Sequence, residues 1–192
     1  MKNFSKEYVI QNQPAHSSQM DMESDALPKS IIKSEALTGK VAIITGGDSD
    51  IGRAVAYLYA QQNMNIVIIY YDEDDDAQQT AQQIKDFGGN CLPIKGDIRD
   101  KNFCKNVVDL TIKEFGRIDV LVNNAAVQYS QDTILEITSE QLIQTFEVNV
   151  FGLIYMTQAV LPHLKSGGNI INTASITAFK GNDCSIWRAW ST

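Results

Sequence analysis

Along this chain, short continuous apolar runs alternate with amphipathic stretches from residue 40 onward. Residues 41–44 (Val-Ala-Ile-Ile) form one such run, as expected of a strand buried on both faces. It leads into a glycine-bearing turn at 45–52, and a helix is expected from Arg53 to about Gln62. Residues 65–71 predict a second strand. An acidic run, 72–76, then opens a second helix, where carboxylates suit the positive helix end, and Gly88 and Gly89 close it. Residues 90–95 predict a third strand, and Pro93 argues for an edge position because proline lacks a ladder donor.

Asp100 is placed to cap a third helix with Phe103, Val107, Val108, Thr111 and Phe115 on one side and Gly116 as its stop. Residues 118–122 predict a fourth strand. Thr138 and Gln141 make a capping box that starts a long helix to about Leu164, with an apolar stripe at Leu142, Phe146, Val150, Leu153 and Ile154. Residues 169–173 predict a fifth strand. Strands and helices alternating at this spacing specify an α/β fold: a doubly wound parallel sheet, Rossmann-like, incomplete after the fifth strand. Residues 1–38 lack this periodicity and are rich in Gln, Ser, Asn, Asp and Met. They predict a polar N-terminal extension ahead of a domain over 39–192.

Composition adds exclusions. The formal net charge of -7 gives no reason to expect a nucleic-acid partner. Cys91, Cys104 and Cys184 form no CxxC pair, and His16 and His163 are far apart, so no metal site is expected and buried free thiols are the expected state. No stretch is long and apolar enough to span a bilayer, and the N-terminus lacks a continuous apolar signal-like core. A cytoplasmic location is the default expectation.

Ligands of such sheets bind beyond the carboxyl ends of the strands, and the candidate chemistry falls there. Backbone N–H groups of the 45–52 turn, at a helix N-terminus, suit phosphate. Asp72, about 20 residues past Gly52, either binds the ribose hydroxyls of NAD and repels the extra phosphate of NADP, or merely belongs to the acidic helix start. Asp97, Asn123 and Ala125 lie on the same rim, and each alone also fits turn chemistry.

Taken in order, these residues resemble the short-chain dehydrogenase/reductases over residues 40 to about 183. The family's Thr-Gly-x-x-x-Gly-x-Gly turn maps onto Thr45 through Gly52, and its Asn-Asn-Ala-Gly motif onto Asn123 to Ala126, with Ala126 replacing the last glycine. Its adenine-edge Asp matches Asp97, its active-site Asn matches Asn149, and its active-site Ser matches Ser175. The polar arm resembles a bacterial branch of the family with an N-terminal extension. The resemblance implies NAD(P), a small-molecule alcohol or carbonyl substrate and homo-oligomeric relatives. It places Gly46, Ser49, Asp50, Ile51, Gly52, Asp72, Asp97, Ile98, Asn123 and Ala125 at the cofactor. Ser175 orients the substrate oxygen and Asn149 supports a proton relay. Read alone, Ser175 is equally a polar strand end and Asn149 a tolerated helix polar.

Two departures matter. Asp50 replaces the turn's central glycine, and a carboxylate aimed at the pyrophosphate is expected to weaken binding by several kcal/mol. The family's Tyr-x-x-x-Lys pair is expected near position 188, where Arg188 stands, with Thr192 at the Lys position. No Tyr in this sequence has a Lys four residues later. The expectation is therefore a C-terminally truncated, inactive oxidoreductase. The alternative class is a non-catalytic nucleotide-binding or dimerisation module. NAD is expected over NADP, from Asp72 and from the lack of an Arg or Lys near Asp48 and Tyr71.

Overall fold

A computed structural model describes residues 35–129, 131 and 133–175. Residues 1–34 of the expected polar arm, and the region around Arg188 and Thr192, lie outside the described residues.

The apolar runs form a five-stranded, all-parallel sheet in the order β3-β2-β1-β4-β5. The strands are β1 (Val41–Thr45), β2 (Asn65–Tyr70), β3 (Asn90–Lys95), β4 (Ile118–Asn123) and β5 (Leu164–Asn172). The helices between them are α1 (Asp50–Gln61), α2 (Asp74–Asp86), α3 (Lys101–Phe115), α4 (Ser139–Phe146) and α5 (Leu153–Val160). Side chains alternate across a strand, and that alternation divides the core in two. On one face Ala42, Ile44, Ile66 and Ile68 meet Ala56, Ala60, Ala77 and Ile84 of α1 and α2. On the other Val41, Ile43, Val67 and Leu121 meet Cys104, Val107 and Val108 of α3 and Met156 and Val160 of α5. Each fully buried Ile or Val contributes about 1.5–3 kcal/mol of hydrophobic burial, so the periodic apolar positions carry the architecture.

Punctuation follows the sequence closely. Pro93 lies in β3, which is an edge strand. Asp100 accepts from the Asn102 N–H at the start of α3, and Gly116 ends it with a left-handed backbone at φ 73°. Thr138 and Gln141 make both bonds of the capping box. Gly39 and Lys40 tie the chain's entry to the domain, Gly39 N–H donating to the Asn63 carbonyl at 2.9 Å.

The expected long helix is different. Between α4 and α5 the backbone widens into a π-helical stretch, Glu147–Gly152, and a 3-10 turn, Leu161–His163, with Pro162 inside it, ends the run. The fifth strand begins at Leu164, not at 169, because β5 pairs with Ile118 before a register shift between Ile118 and Val120. Lys165, Ser166, Gly167 and Gly168 carry no strand pattern, so only the neighbouring strand reveals that they extend the ladder. Of the apolar stripe, Leu142, Val150 and Ile154 are exposed, and the core is reached instead by Met156 and Val160.

Candidate functional site

The carboxyl ends of β1 to β4 open onto one cleft of about 790 Å³. The turn after β1 forms its floor, with Gly46, Ser49, Asp50 and Ile51 lining it. The end of β2 adds Asp72, the end of β3 adds Asp97 and Ile98, and the end of β4 adds Ala125. Four sequence-selected residues lie just behind this surface. Gly52 is buried under the turn: a Cβ there would stand 1.8 Å from the Gly46 carbonyl oxygen, so only glycine allows the first helical turn to close against β1. Asn123 is buried in the sheet and donates to Thr157 Oγ1 at 3.2 Å and to Asn172 Oδ1 at 2.9 Å. It joins β4, α5 and β5 without lining the cleft.

Asn149 stands in the π-helical stretch. Its Oδ1 accepts from the Val127 N–H at 2.8 Å and its Nδ2 donates to the Val127 carbonyl at 2.9 Å. Val127 lines the cleft, so Asn149 fixes the cleft wall through both polar groups of one peptide position. A π-helical stretch often marks a functional position, because the extra residue redirects side chains. Ser175 is half-buried just past β5. Its approach is set two residues earlier by Thr173, whose N–H donates to the Asn123 carbonyl at 2.9 Å and whose Oγ1 donates to Asn124 Oδ1 at 3.1 Å.

Asn124 had no role in the residue-level reading beyond its motif. It is the fastener of the site. Its N–H donates to Thr45 Oγ1 at 2.9 Å, its Nδ2 donates to the Gly46 carbonyl at 3.2 Å, and Ala125 N–H shares the same Thr45 oxygen at 2.9 Å. The glycine turn after β1 is thus locked to the end of β4. Tyr129, Gln144 and Val148 also line the cleft and come from the loop after β4 and the helix that follows. Tyr129 is buried and donates to Gln144 Oε1 at 2.5 Å. Nothing in their spacing singles them out.

The electrostatics correct one expectation. Asp48 and Tyr71 were expected to lack a basic neighbour, yet folding brings one to each. Arg53 Nε donates to the Asp48 carbonyl at 2.6 Å, and the Arg99 guanidinium lies 5.9 Å from the Tyr71 ring centroid. Both are already paired: Arg53 with Asp76 at 3.0 Å, Arg99 with Asp97 at 2.6 Å. The cleft's outer end remains acidic, with Asp48, Asp72 and Glu73 on its surface. Burial, opposed in part by a backbone hydrogen bond and reinforced by Asp76, raises the Asp48 carboxyl above its ordinary value. At Asp97 burial acts upward, but the Arg99 hydrogen bonds and charge together hold the carboxyl low. The thiols of Cys91 and Cys104 are pushed up to about 12, chiefly by burial, so neither is poised as a nucleophile. Among the described residues no helix is long and apolar enough to cross a membrane.

This geometry has close counterparts. The family model described as short chain dehydrogenase matches residues 40–187. The uncharacterized oxidoreductase YhxC of Bacillus subtilis is 55% identical over 150 residues, covering 78% of this chain and 53% of that protein. General stress protein 39 of the same organism is 43% identical over 188 residues, covering 95% and 65%, and the chloroplastic NADPH-dependent aldehyde reductase 1 of Arabidopsis thaliana is 43% identical, covering 92% and 60%. The chain spans between about half and two thirds of the length of these relatives. A short chain dehydrogenase from Burkholderia cenocepacia, solved with NADP, superimposes with a TM-score of 0.76 at 32% identity, covering 81% of this chain and 64% of that one. Carveol dehydrogenase from Mycobacterium avium, solved with NAD, does so with a TM-score of 0.70 at 27% identity, covering 77% and 58%. A parallel sheet in this order, a glycine turn locked to the end of β4 and a family match over most of the chain converge: the protein belongs to the short-chain dehydrogenase family.

Proposed function

We propose that this chain carries the dinucleotide-binding part of a nicotinamide-dependent oxidoreductase acting on a small-molecule alcohol or carbonyl. The observation that supports it most is the single cleft onto which the glycine turn, Asp72, Asp97 and Ala125 all open from four different strands. The residues fit a dinucleotide. Gly46 has a left-handed backbone at φ 62°, and a Cβ there would stand 3.1 Å from Ala125 Cα, so the turn stays open to a phosphate only as glycine. The N-terminus of α1 directs free backbone N–H groups toward that end.

The bound nicotinamide would supply or accept the hydride. Asn149 holds the Val127 backbone, and so the cleft wall that would flank the reacting carbon. The Ser175 hydroxyl orients the substrate oxygen by hydrogen bonding. The proton donor of the family's pattern is a Tyr assisted by a Lys, which this sequence does not supply. The reading therefore rests on cofactor binding by these residues.

NAD is favoured over NADP because the additional 2′-phosphate of NADP would meet Asp48, Asp72 and Glu73, while the nearest guanidinium groups are held by Asp76 and Asp97. Calorimetric titration with NAD, NADH, NADP and NADPH tests this reading. Binding of NAD at least tenfold tighter than NADP is the expected result, a difference of about 1.4 kcal/mol. No binding of any dinucleotide would remove the reading, and preferred NADP would reverse its cofactor clause. In a reductase assay against aldehydes and sugars, turnover abolished by Ser175→Ala would support the role given to that hydroxyl, and turnover unchanged by it would remove that role.

A further inference from the structure

We propose that rejection of NADP by this cleft is gated by a proton held between Asp48 and Glu73, so that NADP is accepted more readily as the pH falls. The proposal rests on the dinucleotide reading above and adds a regulation to it. Asp48 lines the outer end of the cleft yet is only 6% exposed. Its neighbours supply more acid than base. Glu73, just before α2, shares a hydrogen bond with its carboxyl, and Asp76 of α2 adds a further negative charge. Arg53 of α1 is the cation beside it, but its donors are directed elsewhere: Nε to the Asp48 carbonyl at 2.6 Å, and Nη2 to Asp76 Oδ1 at 3.0 Å. Thr80 of α2 also donates to the Asp48 carbonyl, at 3.1 Å. Asp76 Oδ2 is buried with no hydrogen-bond partner. From β2, Tyr70 faces Asp48 as well; burial and its hydrogen bond to Asp74 Oδ1 at 3.1 Å keep its hydroxyl protonated. Lys95 of β3 is held by the same Asp74.

Three carboxyl groups around one guanidinium are costly to ionise together out of water. A hydrogen bond between two carboxyls needs a proton on one of them, so Asp48 and Glu73 titrate as a pair. Burial, with Asp76, favours the neutral form of Asp48. While the proton is held, this end of the cleft is one negative charge lighter. As the pH rises and the proton leaves, that charge appears where the 2′-phosphate would meet Asp48, Asp72 and Glu73. Linkage requires the converse: bound NADP holds the proton more firmly, so binding takes a proton up. NAD, which lacks that phosphate, is far less affected.

The test is calorimetric titration of the full chain with NAD and with NADP from about pH 5 to about pH 8, in the parent and in Asp48→Asn. The phosphate's own second ionisation, near about pH 6, acts alike in both proteins. The ratio of the NADP to the NAD dissociation constant should climb about tenfold more across this range in the parent than in the variant. NADP binding to the parent should also take up more protons, read from the heats in buffers of different ionisation enthalpy. Asp76→Asn removes a repelling charge and releases Arg53, so it should move the parent's profile to lower pH without flattening it. Parallel profiles in the parent and Asp48→Asn would leave the trend to the phosphate alone and overturn the proposal. If Asp48→Asn no longer binds NAD, the Asp76→Asn profile decides, and an unmoved profile overturns the proposal. If the parent binds neither dinucleotide, the cofactor reading itself fails and takes this proposal with it. If the parent binds NAD more tightly by a ratio that does not change with pH, only the proton gate fails.

Discussion

Asp50 is the residue at which local rules conflict most. It has a left-handed backbone, φ 45°, that L side chains avoid, at a cost of about 1–2 kcal/mol. It also opens α1, where a carboxylate contributes about 0.3–1 kcal/mol through the helix dipole. The two effects nearly offset, so Asp50→Gly should change the urea unfolding free energy by less than about 1 kcal/mol. Binding is another matter. Asp50 is exposed, so its repulsion of a pyrophosphate is screened to about 1 kcal/mol, less than the several kcal/mol expected of a carboxylate aimed at the phosphates in a dry site. Asp50→Gly should therefore tighten NAD binding about fivefold. Equal affinities in parent and variant would show that the carboxylate faces away from the phosphates. The substitution was visible in the sequence; its exposure, which sets the magnitude, was not.

At the scale of elements, two side chains bind the secondary structure together. Asp119 is buried within β4, accepts from the Val41 N–H at 2.9 Å, and is gripped by Arg117 through Nε at 2.8 Å and Nη2 at 2.7 Å. Asp119→Ala would leave the first N–H of β1 unpaired in the sheet and should cost about 1–3 kcal/mol, read as a lower urea midpoint at unchanged slope. Asn149→Ala removes both bonds to Val127. A similar loss is expected, together with faster amide exchange at Val127, and unchanged exchange there would show that the wall is held by other contacts.

The elements themselves were largely legible. Continuous apolar runs and their punctuation at Pro93, Asp100, Gly116 and Thr138 gave four strands, the edge position of β3 and the helix ends. What escaped has a common cause. The early start of β5 depends on pairing with Ile118, and the π-helical stretch at Asn149 depends on tertiary packing, and neither leaves a local mark in hydrophobic periodicity. Likewise, a family pattern names Asp97, Asn149 and Ser175, but the Arg99 fork, the Asn124 fastener and the Tyr129–Gln144 contact join residues that spacing alone does not relate.

For the whole molecule, the carboxylates set opposing dependences of stability on pH. Asp97 and Asp119 are partly to well buried, and burial alone would raise both. Arg99 and Arg117, with backbone N–H groups, hold both below the ordinary Asp value of 3.8. For such groups the unfolded chain binds more protons, so their stabilisation is complete above that value and is lost as the pH falls through the folded pKa. Asp74 and Glu140 are also lowered but stand in full solvent, and their share is small. Asp48 works in the other direction. Its raised carboxyl faces Asp76 and Glu73, with Arg53 as the nearby cation. There the folded chain holds the proton more firmly, so stability declines as the pH climbs from 3.8 through the folded value. Urea midpoints measured against pH should consequently rise to a maximum near the ordinary Asp value of 3.8 and then fall. Asp48→Asn, which keeps the shape and removes the charge, should abolish the fall and leave the acid-side rise in place. A parent profile that is flat above pH 4, or a variant that still declines there, would show that Asp48 is not the group responsible.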